Sequence, residues 1–247
     1  MSKINLYCLP YAGGSATVYS SWKNLLMPNV VLKPIELSGR GKRFDESLYD
    51  SIDDAVDDVL NIIRDDISKN PYALFGHSMG GIMVYELAKR IQQEKLPLPL
   101  QIFISGRSAP NIPKERKAFS QMPIDEFRKE VLNLGGTPKE FFEHPELLEL
   151  FLPILKNDFR LVETYRFIEK NEILETSLII LLGKDDDLTK QEGDGWMMLT
   201  NRECYIQYFD GGHFFLNEKT EEVVTVINKN LNNKQRKILR KELVLEQ

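Results

Sequence analysis

Short apolar runs alternate with longer amphipathic stretches along this chain of 247 residues. The runs are Ile4–Leu9, Val30–Ile35, Tyr72–Phe75, Gln101–Ser105, Ser177–Leu182 and Cys204–Phe209, rich in Ile, Leu, Val, Phe and Tyr. Runs that are nearly continuous in apolar residues, rather than alternating with polar ones, predict strands covered on both faces, as in a parallel sheet. The stretches between them have helical spacing. Ser51–Ser68 puts Ile52, Ala55, Val56, Val59, Leu60, Ile63 and Ile67 on one face with aspartates opposite. Met79–Glu94 carries Ile82, Tyr85, Leu87, Ala88 and Ile91, and Glu221–Leu231 forms a last amphipathic helix. Strand and helix in alternation predict a parallel sheet built through right-handed crossovers.

One interval breaks the alternation. Between Ser105 and Ser177 the pattern offers a Pro-containing loop, SAPNIP, and helical spacing over Pro123–Asn133 and Pro145–Arg166, but no strand. So long a bare loop is improbable in a compact domain. The expectation is a helical lid inserted at about 107–176 into a single domain spanning 1–247. The tail Asn233–Gln247 gathers Lys234, Arg236, Lys237, Arg240 and Lys241, read as a solvated helix end rather than a docking surface.

Apolar residues make up 42% and charged residues 28%, ordinary for a globular enzyme. The net charge of −5 argues against a nucleic-acid partner. The two cysteines, Cys8 and Cys204, lie in strand-like runs and read as buried free thiols. No Cys/His spacing suggests a metal, and no cofactor is expected. Without a signal-peptide pattern or a span long enough to cross a bilayer, the expected setting is the cytoplasm and the expected unit a monomer.

The chemistry concentrates at Gly76-His77-Ser78-Met79-Gly80, a G-x-S-x-G motif between the strand YALF and the helix GIMVYELAKRI. That context marks a nucleophile elbow, with Ser78 raised on a tight turn at the carboxyl end of a strand. Side chains at Gly76 and Gly80 would collide with neighbouring backbone. A serine nucleophile needs a base, and there are three histidines: His77, His144 and His213. His77 should point away from Ser78, and His144 reads as surface. His213 follows the last strand through Asp210-Gly211-Gly212, which suits the order serine, acid, histidine. The acid then lies among Asp185, Asp186 and Asp187, between which spacing does not choose; the other two would be loop charges or a cap for the next helix. One oxyanion donor is the Met79 N–H at the helix start. The second is the Tyr11 or Ala12 N–H after the first strand.

LPYAGGSA, FGHSMGG, LLGKDDD and FDGGHFFL, in this order and over essentially the whole chain, resemble the type II thioesterases, discrete hydrolases of nonribosomal peptide and polyketide synthesis. The resemblance extends to the lid-like segment NLGGTPKEFFEHPELLELFLPILKNDFRLVETY. It implies an α/β-hydrolase fold, with a mostly parallel central sheet flanked by helices. It also implies removal of stalled acyl groups from the phosphopantetheine arm of acyl or peptidyl carrier domains. By the family's G-x-x-D pattern it assigns the acid to Asp186, and the oxyanion amides to Ala12 and Met79. Tyr11 stands where many members have histidine, which would alter the pocket wall more than the chemistry. A carboxylester hydrolase acting on free small esters would carry the same elbow and is the competing expectation.

Overall fold

The computed structural model describes residues 3–114, 117–137, 140–169 and 173–245, with backbone only for 237–245. Six strands, β1 (Ile4–Leu9), β2 (Val30–Pro34), β3 (Tyr72–His77), β4 (Ile102–Ser105), β5 (Leu178–Gly183) and β6 (Cys204–Phe209), form one parallel sheet in the order β2-β1-β3-β4-β5-β6. The helices are α1 (Ile52–Ile67), α2 (Met79–Gln93), α3 (Ile124–Leu134), α4 (Glu140–Glu143), α5 (Pro145–Thr164), α6 (Lys190–Asp194), α7 (Phe215–Glu218) and α8 (Thr220–Leu245).

Successive strand residues point to opposite faces, so each continuous apolar run feeds two cores. Leu74, Ile102, Ile104 and Ile180 pack with Val56, Leu60 and Ile63 of α1 and Met83 and Leu87 of α2. Ala73, Phe75, Phe103 and Ile179 face the other way, toward Tyr19, Trp22 and the Val223, Val224 and Ile227 edge of α8. Burying each large side chain contributes about 1.5–3 kcal/mol, so the sheet is held from both sides. Helix α1 begins at Ser51, whose hydroxyl accepts the Asp54 N–H at 3.0 Å, with Asp53 and Asp54 at the positive end of the helix.

Between β4 and β5 lie α3, α4 and α5, which share an apolar cluster of Phe127, Val131, Phe142 and Leu155. Among the described residues this interval holds no strand, only an isolated bridge between Leu174 and Thr200.

Three features depart from the expectations. Strand β3 continues past Phe75 to His77, because His77 stays in register with Ser105 of β4. Helix α8 passes Leu231 and reaches Leu245, since no Gly or Pro interrupts it and Gln235 is buried, its Oε1 accepting from Asn29 Nδ2 at 2.6 Å. Lys234 therefore does not belong to a free charged end: its Nζ donates to Ser177 Oγ at 2.8 Å. Arg236 is exposed, while the side chains of Lys237, Arg240 and Lys241 lie outside the described residues. Cys8 is fully buried, and burial raises its thiol pKa. Cys204 is only half-buried, because β6 is an edge strand; burial still pushes its pKa up to about 11.

The register aligns the carboxyl ends of the strands: Leu9 sits beside Gly76, His77 beside Ser105, and Gly183 beside Phe209. Strand order reverses direction between β1 and β3, which opens a crevice beyond their carboxyl ends, the usual ligand position in such sheets.

Candidate active site

Ser78 lies at that reversal, between β3 and α2, with φ 55° and ψ −111°. A non-glycine residue held there stores about 1–3 kcal/mol of strain. The surroundings enforce it. The Ser78 N–H donates to Ser105 O at 2.8 Å, and the Gly81 N–H donates back to Ser78 O at 3.0 Å. A Cβ on Gly76 would stand 2.0 Å from Gly80 O, and one on Gly80 would stand 2.3 Å from Leu9 O. Only hydrogen fits at either position, so the start of α2 presses directly on the end of β1 and the serine is forced outward.

His213 and Asp186 arrive on two loops that are stitched together. The Lys184 N–H donates to Phe209 O at 2.8 Å, and the Asp185 N–H to Gly211 O at 3.0 Å. His213 Nε2 is 3.0 Å from Ser78 Oγ, and its Nδ1 is 2.9 Å from Asp186 Oδ2. A carboxylate only accepts, so this arrangement puts the ring proton on Nδ1 and leaves Nε2 to take the serine proton. The structure separates the three aspartates that spacing left open. The Asp186 side chain is 8% exposed and faces His213. Asp185 and Asp187 are exposed. Neither caps α6, whose cap is Thr189: its hydroxyl accepts the Glu192 N–H at 3.2 Å while Glu192 Oε2 accepts the Thr189 N–H at 2.7 Å. The T-x-x-E spacing was the sequence signal for this box.

The other histidines lie elsewhere. His77 is buried beneath the site, with Nδ1 2.9 Å from Ser105 Oγ. Burial and then the neighbouring His213 hold its pKa well below the usual histidine value, so it is neutral and no candidate for the base. His144 is exposed at the start of α5.

The Met79 N–H opens α2, and the Ala12 N–H lies in the turn after β1; among the described residues neither finds a protein acceptor. Tyr11 does not project freely into the cleft, since its ring packs edge-on against Phe214 at 4.8 Å and His77 at 5.8 Å. Ala12, Ser78, Asp186 and His213 line a cleft of about 360 Å³ whose apolar wall comes from Val131, Leu155 and Phe159 of the helical interval. A second hollow of about 650 Å³ adjoins the first across Tyr11 and Ala12 and is lined by Phe44, Phe141 and Phe151.

Basic residues border the cleft, and its lysines are engaged. Lys114 donates to Asp187 O at 2.6 Å and pairs with Glu192 at 3.1 Å, and Lys117 pairs with Glu130 at 2.7 Å. Arg107 lines the cleft, and Arg116 lies outside the described residues. Sequence reasoning missed a buried ion pair beside the site, Arg40–Asp158. The available signal was an acidic residue at helical spacing from Phe151 and Leu155, on the apolar side of α5. Among the described residues no group of three or more His, Cys, Asp or Glu could hold a metal, and no helix is long and apolar enough to cross a membrane.

Comparison with known proteins decides the family. The thioesterase domain family matches residues 4–231. The chain belongs to the thioesterase family. This thioesterase resembles the crystal structure of ClbQ from the colibactin NRPS/PKS pathway, at 36% identity and a TM-score of 0.89 over 95% of this chain and 99% of that one. It also resembles the type II thioesterase BorB from the borrelidin biosynthetic cluster, at 31% identity and a TM-score of 0.83 over 93% of each chain. Linear gramicidin dehydrogenase LgrE of Brevibacillus parabrevis is 32% identical over 93% of this chain and 88% of its own length. Its name states a redox reaction, whereas the family matched along this chain is that of the thioesterases. The fold is the α/β-hydrolase fold, and the thioesterase is a hydrolase of the serine type.

Proposed function

We propose that this thioesterase acts as a type II enzyme, clearing acyl groups from the phosphopantetheine arm of acyl or peptidyl carrier domains of a peptide or polyketide synthase. The observation that carries the proposal is the continuous hydrogen-bonded line from Ser78 through His213 to Asp186, set on the floor of a narrow cleft with an apolar wall. Support comes from BorB, which is called a type II thioesterase, and from ClbQ, which belongs to an NRPS/PKS pathway.

In this mechanism His213 Nε2 takes the Ser78 proton as Oγ attacks the thioester carbonyl. The Ala12 and Met79 N–H groups receive the negative oxygen, and losing one such donor costs about 10²–10³ in rate. Asp186 holds the Nδ1–H tautomer and stabilises the imidazolium. The intermediate collapses with cleavage of the C–S bond, and the His213 imidazolium gives its proton to the departing sulfur; a thiol (about 8.5 for cysteine) needs less such assistance than an alcohol. Water deprotonated by His213 then cleaves the acyl-Ser78 ester and releases the acid. A cleft of about 360 Å³ with an apolar wall suits a thin arm carrying an acyl group.

The test is turnover of a series of acyl groups, short to long, presented on carrier domains, on a small thiol and as free oxygen esters. The expected order is carrier-bound thioester above small thioester above ester. Hydrolysis of the free esters at rates equal to or above those of the carrier-bound thioesters would assign the chain to carboxylester hydrolysis instead.

A further inference from the structure

The turn that presents the Ala12 N–H is held by a residue from outside the sheet. The Gly14 N–H closes the turn on Tyr11 O at 2.8 Å. The preceding amide, the Gly13 N–H, donates to Asp158 Oδ2, a carboxylate on α5, at 2.7 Å. Asp158 is completely buried and binds Arg40 through both oxygens, at 2.6 and 2.8 Å. Arg40, itself only 4% exposed, reaches back to Gly14 O at 3.2 Å and Ser38 O at 3.4 Å. Gly13 has φ +75°, and a Cβ there would stand 2.6 Å from Leu155 and 2.9 Å from Phe151. Residues 151, 155 and 158 share one face of α5, so a single helix face grips the turn by packing and by hydrogen bond.

Two consecutive glycines leave the backbone wide conformational freedom unless something removes it. Tyr11 O shares its peptide plane with the Ala12 N–H, and the Gly13 N–H belongs to the next plane, so fixing both removes that freedom on either side of the Ala12 Cα. Stability alone is a weak reason for the ion pair, because a buried pair can often be replaced by apolar residues without loss. We infer that Asp158 is a positioning residue for the oxyanion hole: through the Gly13 N–H it sets the direction of the Ala12 N–H, and Arg40 neutralises and orients its carboxylate. The inference rests on the proposed role of Ala12.

Three variants carry the test: Asp158→Asn, Arg40→Lys and the double variant Arg40→Met with Asp158→Leu. For each, kcat and KM on an acyl carrier are measured with the melting temperature. Affinities are measured for a trifluoromethyl ketone, which forms a tetrahedral adduct with Ser78, and for an uncleavable amide analogue of the substrate. Asp158→Asn and the double variant should lose about 10²-fold in kcat, the scale of a misplaced catalytic group, with KM nearly unchanged. The ketone should weaken in parallel while the amide analogue binds as before. Arg40→Lys keeps the carboxylate on Gly13 and should retain most of kcat even though the bidentate pair is lost. Wild-type kcat in the folded double variant would overturn the inference. So would equal kcat losses in Arg40→Lys and Asp158→Asn, or a loss of both affinities together that tracks the melting temperature. The amide analogue and the ketone test the inference on the variant-to-wild-type ratio. The proposed function itself fails separately, if wild-type protein cleaves no thioester while a fluorophosphonate still labels Ser78.

Discussion

At the scale of single residues, the site trades backbone comfort for reach. Ser78 holds φ 55° because its neighbours leave no alternative, and its hydroxyl gains a half-buried position beside His213. Replacing it with glycine, which tolerates that φ, should raise stability by about 1–3 kcal/mol in denaturant titration while removing turnover. Ser78→Ala should keep the strain and the fold, and lower kcat on the order of 10⁶-fold. His77 offers a pH signature. It is neutral in the folded protein, whereas in the unfolded chain it binds a proton below its ordinary pKa of 6.5. Acid therefore favours the unfolded state, by up to about 1.4 kcal/mol per pH unit below that value. Exchanging His77 for Asn should make the stability profile flatter below pH 6.5, measured by chemical unfolding at each pH. An unchanged slope would show that His77 is protonated in the native state. Ser78 and His213 were legible from motif and order because the elbow demands a strand, two glycines and a helix in one short run. The choice among Asp185, Asp186 and Asp187 was not legible from spacing, since it depends on which carboxylate the Gly183–Leu188 turn directs inward.

At the scale of elements, the decisive contact is the start of α2 against the end of β1. Gly80 approaches Leu9 O so closely that a methyl group cannot fit without separating strand and helix. Gly80→Ala should therefore cost more than about 4 kcal/mol, beyond the ordinary range for a single substitution, and show as a large fall in melting temperature or as insoluble protein. The helical spacing of α1 and α2 made them readable to within a residue or two. Helix α5 was readable as a helix, but its most consequential side chain was not. A buried Asp158 makes sense only with Arg40 beside it, and the two are separated by 118 positions in the chain. Local pattern carries no record of such a pair. The end of α8 was misplaced for a related reason: Gln235 is polar in sequence but is buried against Asn29.

At the scale of the whole molecule, the sheet and the α3–α5 interval differ in how they are secured. The strands are covered on both sides by large cores, while α3 and α4 depend chiefly on the smaller Phe127–Val131–Phe142 cluster. The second half of α5 sits between these extremes. Besides Asp158, it is tied by Asn157 to Tyr49 O at 3.2 Å and by Arg160 to Asp50 O at 2.9 Å. The weaker anchorage therefore lies in α3 and α4, not in α5 as a whole. Native-state hydrogen exchange should find the amides of β3 and β4 slowest, those of α3 and α4 fastest among the helices, and the Asn157–Thr164 turns clearly protected. Rapid exchange in those last turns would contradict this division. The parallel sheet covered on both faces was legible because continuous apolar runs leave few ways to hide six strands, whereas the order of the strands was not. The relation of the inserted helices to the crevice was not, since it rests on contacts with no local signature.

The two thiols make the protein a convenient reporter of its own reaction. Thiolate is the reactive form, and Cys204, with a pKa near 11, is almost wholly protonated at neutral pH, while Cys8 is sealed under the sheet. A disulfide dye that counts the thiol freed from a thioester would therefore meet little competition from folded enzyme. Once the sheet opens, Cys8 would react, so the same dye, with substrate omitted, becomes a clock for global unfolding.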